Sequence, residues 1–311
     1  MRASQKPIVV VGSINLDLVA ITARIPAAGE TVLGREFQMH PGGKGANQAV
    51  AVARLGYPVQ MIGKIGSDVL GDPLWGHLQK VGVGMDGVQR SHDASGVAMI
   101  VVSAQGENCI VVTPGANAEV TPEYVDSHRN LIRNAGLVMT QLEIPVETVG
   151  YVSDLCFEYQ VPLILDPAPA QPLPPGLLRR VRWFTPNETE AAFYAPNGLG
   201  TNDEDASRAR ARHLLAEGPE GILLKMGARG AYLATEGIEE QLGAIAVKAV
   251  DTTAAGDAFN GAFAVGLLLG KSPKESARFA AAAAALSVTR AGAQPSMPLL
   301  REVEQMLDKH S

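Results

Sequence analysis

The run Val250-Asp251-Thr252-Thr253-Ala254-Ala255-Gly256-Asp257-Ala258-Phe259-Asn260-Gly261 sets small residues, a glycine and two acids between very different neighbours. Ahead of it, Ile245-Ala246-Val247-Lys248-Ala249-Val250 alternates in the manner of a strand. After it, Phe259 to Leu269 is apolar and small, as in a buried helix. This order predicts strand, tight turn and helix N-terminus. The first N–H groups of a helix have no partner within it, and the helix dipole adds partial positive charge there. Small side chains at Ala254, Ala255 and Gly256 let a phosphate oxygen come close to those groups. Asp257, at the same end, is placed to accept a proton from a hydroxyl while the amides hold developing charge. The same dipole is expected to keep Asp257 acidic. From these residues alone, a buried helix start with an ordinary first-turn acid is the plainer reading.

Upstream, Ile8-Val9-Val10-Val11 is a continuous β-branched run, which suits a strand buried on both faces of a parallel sheet. Asn15 and Asp17 follow at its carboxyl end, where open α/β sheets bind ligands. They are candidates for polyol hydroxyls, and also common turn formers. His40 to Gln48 contains Gly42-Gly43-Lys44-Gly45-Ala46-Asn47, leading into a helix predicted over Ala49 to Leu55. Its glycines permit close backbone approach to a ligand. The spacing is not that of a Walker A loop. Arg24 to Met39, including Thr31-Val32-Leu33, reads as short antiparallel strands leaving the main sheet. Val97–Val102 and Cys109–Val112 read as a second hairpin. Together these pieces predict a small β lid near residues 18–40 and 96–113, which would keep water from a transferring group. Gly82-Val83-Gly84-Met85-Asp86-Gly87 matches G-x-G-x-x-G, but follows a predicted helix and precedes a strand. That is the wrong context for a dinucleotide site.

From Leu137 the pattern alternates regularly. Strands are predicted at Leu137–Leu142, Val161–Leu165, Val181–Thr185 and Gly221–Lys225, with helices at Val146–Tyr159 and Asp203–Glu217. Alternation of this kind gives an α/β fold with a doubly wound parallel sheet. Asn187 and Glu190, three apart at a helix start, suit either a water-mediated Mg²⁺ site or a capping box. The residues leave both open. Arg278 to Thr289 is a helix containing the run Ala280 to Ala285, which favours close helix packing and, secondarily, a flat slot for a ring.

The bulk numbers narrow the function classes. At 311 residues and 46% hydrophobic, the chain is read as one large α/β domain, 1–311. A net charge of −6 without a basic run argues against nucleic acid or an anionic membrane as partner. Cys109 and Cys156 form no C-x-x-C or Cys/His cluster, which fits reduced thiols. No leader is read at Met1–Pro7, and no apolar run is long enough for a membrane span. A cytoplasmic location is expected.

The same motifs resemble the signatures of the ribokinase-like (PfkB) sugar kinase family. The resemblance runs from Val10 to about Pro298 and rests on Gly12–Asp17, Gly42–Gln48, Gln141–Glu143, Asp166–Ala170, Thr185–Glu190, Asp251–Gly261 and Gly292–Ser296. The ribokinase branch is the nearest. It implies a doubly wound domain with a β lid, paired lids in a homodimer, and transfer of the γ-phosphoryl group of ATP to O5 of D-ribose with Mg²⁺. By position, it implies Asp257 as catalytic base, with Ala254, Ala255 and Gly256 as anion hole. Asn15, Asp17, Gly43, Lys44, Asn47 and Glu143 would hold the sugar. Asn187, Lys225, Gly227, Arg229, Gly230 and Gly256 would line the nucleotide site, with Glu190 on Mg²⁺ through water. An activating K⁺ would lie near Asp251, Thr253, Ser287, Arg290, Gly292 and Ser296, several of them acting through backbone carbonyls. Three positions depart from the branch: Ala258, where Thr or Ser is usual, Lys225, where Thr is frequent, and Ala281, in place of a polar residue. All three bear on the nucleotide side. A sister kinase for 2-deoxyribose, fructose, a sugar acid or a nucleoside, and a non-catalytic sugar sensor, are the alternatives.

Overall fold

The computed structural model describes residues 5–196, 199 and 203–310. Thirteen strands are named in chain order: β1 (Ile8–Val11), β2 (Asn15–Thr22), β3 (Gly34–Gly42), β4 (Val59–Gly66), β5 (Gly84–Ser91), β6 (Gly96–Val102), β7 (Asn108–Thr113), β8 (Leu137–Thr140), β9 (Leu163–Leu165), β10 (Trp183–Phe184), β11 (Gly221–Lys225), β12 (Ala231–Thr235) and β13 (Ile238–Leu242). Nine of them form one sheet in the order β13-β12-β11-β10-β9-β8-β1-β4-β5. From β11 to β5 every pairing is parallel, while β12 and β13 close one edge antiparallel.

β1 is an interior strand between β8 and β4, fully buried on both faces as its β-branched run requires. Its side chains alternate between two cores. Ile8 and Val10 pack with the helices Lys44–Arg54, Ala255–Leu268 and Pro273–Ser287, while Val9 and Val11 pack on the opposite face with the helix Val146–Tyr159. The sheet is therefore covered on both sides, as predicted.

The second sheet has the order β3-β2-β6-β7. It combines the two predicted lid segments: β2–β3 and β6–β7 are antiparallel, and β2 joins them by pairing parallel with β6. Asp17 shares a face with Ala98 and Val112 across the register. Met39, Met99 and Val111 lie on the opposite face and are exposed.

Several boundaries differ from the sequence reading. Thr31–Leu33 is not a strand; Leu33 is almost fully exposed, and pairing begins at Gly34. Ile245–Val250 is also not a strand, because β13 ends at Leu242 and the chain then crosses a cavity wall without a ladder partner. The helix expected from Ala49 starts at Lys44. Gly43, with φ 87°, caps it, and Ser13 O accepts from Ala46 N–H at 2.8 Å. A Cβ at Gly43 would lie 2.7 Å from Asn15 N, so only glycine brings this helix start against the β1–β2 turn. Gly82 does follow a helix (Gly71–Lys80) and precede β5.

Candidate active site

Asp257 lies in the first turn of the Ala255–Leu268 helix, whose N-cap Ala254 takes the left-handed conformation with φ 57°. That turn directs the start of the helix toward the carboxyl ends of the central strands. Asp257 is buried. Its Oδ2 accepts from Asn47 Nδ2 at 3.0 Å and its Oδ1 from Gln48 Nε2 at 3.1 Å. Burial, opposed by Lys44 and reinforced by Asp166, pushes its carboxyl up to about 6. The expected acidity at the helix end is thus reversed, because loss of hydration outweighs the partial positive charge of the helix.

The predicted sugar residues converge on this carboxylate. Asn15 and Asp17 come from β2, while Gly43, Lys44 and Asn47 come from the following helix start. Glu143 stands beyond β8. Its Oε2 accepts from Ser13 Oγ at 2.5 Å, from Lys44 N–H at 3.1 Å and from Asn15 Nδ2 at 3.4 Å. Asn15 Oδ1 accepts from Asn117 Nδ2 at 2.7 Å. Asp17 packs against Gly42, where a Cβ would fall 2.3 Å from its carboxylate. Burial, then Glu143 and Asp257, push Asp17 up to about 7. Lys44 faces Asp257, Asp166, Glu143 and Glu190. Burial disfavours its charge, but those acids more than reverse this and raise its pKa. A pocket of clustered acids beside one ammonium suits a neutral polyol that supplies hydroxyl donors.

On the other side of the helix start is a largely apolar cavity of about 490 Å³. Lys225, Gly227, Gly230, Ala255 and Gly256 line it together with Ala281, Ala284 and Val288. The alanine run does both things weighed for it: Ala280, Ala282 and Ala283 are buried in helix packing, while Ala281 and Ala284 form the slot. Ile245 and Val247 also line it.

Asn187 and Glu190 make the capping box. Asn187 Oδ1 accepts from Glu190 N–H at 2.8 Å, and Glu190 Oε2 accepts from Asn187 N–H at 2.7 Å. Asn187 also bridges to Lys225 in the sheet, which puts the box beside the cavity mouth. Burial raises the Glu190 carboxyl, with Lys225 opposing. Arg229 pairs with Glu188 rather than entering the cavity. Among the described residues no group of three or more His, Cys, Asp or Glu side chains could grip a bare metal ion. An Mg²⁺ here would be carried by phosphate and water, since both Glu190 carboxylate oxygens already accept from Asn187.

Asp251 ties two loops together. Its Oδ1 accepts from Thr253 N–H at 2.9 Å and Thr253 Oγ1 at 2.6 Å, and its Oδ2 accepts from Gly292 N–H at 2.8 Å. Burial works against its charge, but these bonds hold the carboxyl below its usual range. Ser287 Oγ and Ser296 Oγ donate to the local carbonyls of Ala284 and Ala293, and Arg290 pairs with Glu302 at 2.6 Å. The side chains of these three are thus engaged locally, which leaves their backbone carbonyls as the groups that would face a K⁺.

Sequence reasoning did not assign a site role to Gln48, Asp166 or Gln294. Gln48 Nε2 donates to both Asp257 and Asp166 (2.9 Å), and its Oε1 accepts from Gln141 Nε2 at 2.6 Å. Asp166 Oδ1 accepts from Lys225 Nζ at 2.7 Å. Gln294 Nε2 donates to Asn47 Oδ1 at 3.0 Å. The available signals were the polar positions next to Asn47 and just after β9.

Comparison with known proteins agrees with this geometry. Residues 5–300 match the model of the pfkB family of carbohydrate kinases. The chain is 43% identical to a ribokinase of Bacillus subtilis over 96% of its own length and 99% of the relative's. It is 35% identical to a deoxyribokinase of Salmonella typhi, covering 96% and 98%. The solved structure of Arabidopsis thaliana ribokinase complexed with ribose and ATP superposes with a TM-score of 0.88 at 38% identity, covering 97% of this chain and 98% of that one. The chain belongs to the pfkB family of carbohydrate kinases.

Proposed function

We propose that this carbohydrate kinase transfers the γ-phosphoryl group of ATP to O5 of D-ribose, giving D-ribose 5-phosphate and ADP. The carrying observation is the position of Asp257, buried between an acid-lined polar pocket and an apolar cavity at the N-terminus of a long helix. In this reading Asn15, Asp17, Asn47 and Glu143 hold the ring hydroxyls. Asp257 takes the O5 proton as the O5–P bond forms and the bond to ADP breaks. A carboxyl near 6 is a better match to neutral operating pH than an ordinary aspartate. The N–H groups of the first helical turn, at Gly256 and Asp257, stabilise charge on the phosphoryl oxygens. Mg²⁺ bound with ATP would supply charge neutralisation. K⁺ is proposed beside the Asp251–Gly292 closure, where it would steady the turn that carries Ala254.

The similarity to a deoxyribokinase supports a second reading, 2-deoxyribose, since one missing hydroxyl removes only one contact. We also propose that two copies pair through the exposed Met39, Met99 and Val111 face of the small sheet, in the cytoplasm.

The test is ATP consumption against ribose, 2-deoxyribose, fructose, a sugar acid and adenosine, with Mg²⁺ and with K⁺ or Na⁺. Ribose turnover well above the others, raised by K⁺, is the expected result. Turnover on another sugar would overturn the substrate assignment and leave the chemistry standing. Ribose binding without ATP consumption would favour the sensor.

A further inference from the structure

Lys225, Asp166, Gln48 and Asp257 form a continuous polar chain from the apolar cavity to the base. Lys225 Nζ lies 2.7 Å from Asp166 Oδ1, and both side chains are buried or nearly so. Asp166 Oδ2 accepts from Gln48 Nε2 at 2.9 Å, and the same nitrogen donates to Asp257 Oδ1 at 3.1 Å. Gln141 donates to Gln48 Oε1 at 2.6 Å, which fixes the orientation of the Gln48 amide. Its NH₂ group is thus shared between two carboxylates. At the other end Lys225 lines the cavity, and a Cβ built at Gly256 would sit 3.6 Å from its Nζ. The ammonium therefore stands beside the helix start at which a polyphosphate would arrive.

Resting on the kinase reading above, we propose that Lys225 is a two-position cation that couples donor binding to the strength of the base. Without donor it neutralises Asp166. With donor it turns toward the polyphosphate, and Asp166 is left with its full negative charge. Lysine suits this motion because it is a compact charge on a flexible stem. A polyphosphate offers several charges against one carboxylate. The bared Asp166 draws the shared Gln48 amide toward itself and away from Asp257. Both effects raise the affinity of Asp257 for the O5 proton. The charged groups around Asp257 are Lys44 at the start of the Lys44–Arg54 helix, Asp17 on β2, and Asp166 beyond β9; Glu190 and Lys225 lie behind Asp166. Of these, only Asp166 is joined to Asp257 through a shared donor and paired with a cavity-lining cation. Asp166 already acts to raise the Asp257 carboxyl, which agrees in sign. Asp166 and Gln48 are positioning residues here, acting through the base.

The test compares the acidic limbs of two pH profiles measured with ribose and ATP. The profile of kcat/KM for ATP at saturating ribose reports the donor-free form, and that of kcat reports the ternary complex. In the unmodified protein the kcat limb should lie about one pH unit higher, the low end of the effect of a nearby charge. Lys225→Met alone leaves a buried acid unpaired and risks the fold. The double variant Asp166→Asn/Lys225→Met removes both charges together. It should fold, raise KM for ATP about tenfold, the loss of one charge-assisted contact, and bring the two limbs together. An unchanged gap in the double variant overturns the proposal, whether or not KM moves. So does an unchanged KM with a closed gap, or the absence of a gap in the unmodified protein. Failure of the unmodified protein to phosphorylate ribose would instead defeat the substrate assignment on which the proposal rests.

Discussion

Replacing Asp17 by asparagine should make the ligand-free protein more stable at pH 8 while damaging its sugar site. Asp17 is buried beside Glu143 and Asp257, and its carboxyl is pushed from 3.8 up to about 7. A carboxyl with a raised folded-state pKa lends stability below its unfolded value and loses it as pH rises through the folded value. The cost should therefore grow between about pH 4 and pH 7 and flatten above. A tenfold change in proton affinity corresponds to about 1.4 kcal/mol, so this rise sets an upper bound of roughly 4 kcal/mol. About half of that is the working value, because the rise depends partly on Glu143 and Asp257 sharing the pocket. For a chain of 311 residues, about 2 kcal/mol corresponds to a rise of roughly 3 °C in Tm. Thermal unfolding of both proteins at pH 5 and pH 8, without ligands, measures it. The gap should be wider at pH 8, and KM for ribose should rise in the variant. A gap independent of pH, or a less stable variant at pH 8, would refute the idea that Asp17 is held at a cost to the fold.

Asp257→Asn should bind an ATP analogue normally but lose about 10²-fold or more in turnover, the range for a positioned acid or base; near-normal turnover rejects it as base. With Asp257 at about 6, kcat/KM should fall as pH drops through that value, because the base is then protonated. Asp251→Ala removes the acceptor for Thr253 and Gly292. It should cost about 1–3 kcal/mol in urea unfolding and abolish any difference between K⁺ and Na⁺ in turnover. Gly43→Ala should raise KM for the sugar and lower Tm, since a positive φ and contacts at 2.7 and 2.9 Å with Asn15 and Ser13 backbone leave no room for a methyl group; an unchanged Tm would show that the turn relaxes freely.

The sheet was legible because β1, β8 and β11 are apolar runs whose hydrophobic pattern needs no distant partner to be recognised. The Val146–Tyr159 helix was legible for the same reason, with Pro145 ahead of it. Ile245–Val250 alternates as a strand does, but a strand also requires a neighbour, and β13 has already ended. The glycines before Asn47 suggested a loop, yet a cap by Gly43 and a carbonyl from Ser13 start the helix there. Asp257 could be picked out from its own segment. Its raised carboxyl could not, because the burial comes from elements far away in sequence. The same holds for Gln48, whose meaning depends on Asp166, Asp257 and Gln141, all remote from it.

The connection between the sheets has a mechanical consequence. Asn15 and Asp17 are early residues of β2, in the small sheet, whereas Asn47 and Asp257 stand on helices packed against the large sheet and Glu143 follows its strand β8. Only the turn Gly12–Ile14 separates β1 from β2. The chain also passes between the sheets at Gly43, at residues 92–95 and at Pro114, and Asn15 already bonds Glu143, so a sugar held by both sets adds a crossbar to a seam that is tied at several points. Phosphorylation adds negative charge to that crossbar beside Asp17, Glu143 and Asp257, so charge repulsion works against retention of the product.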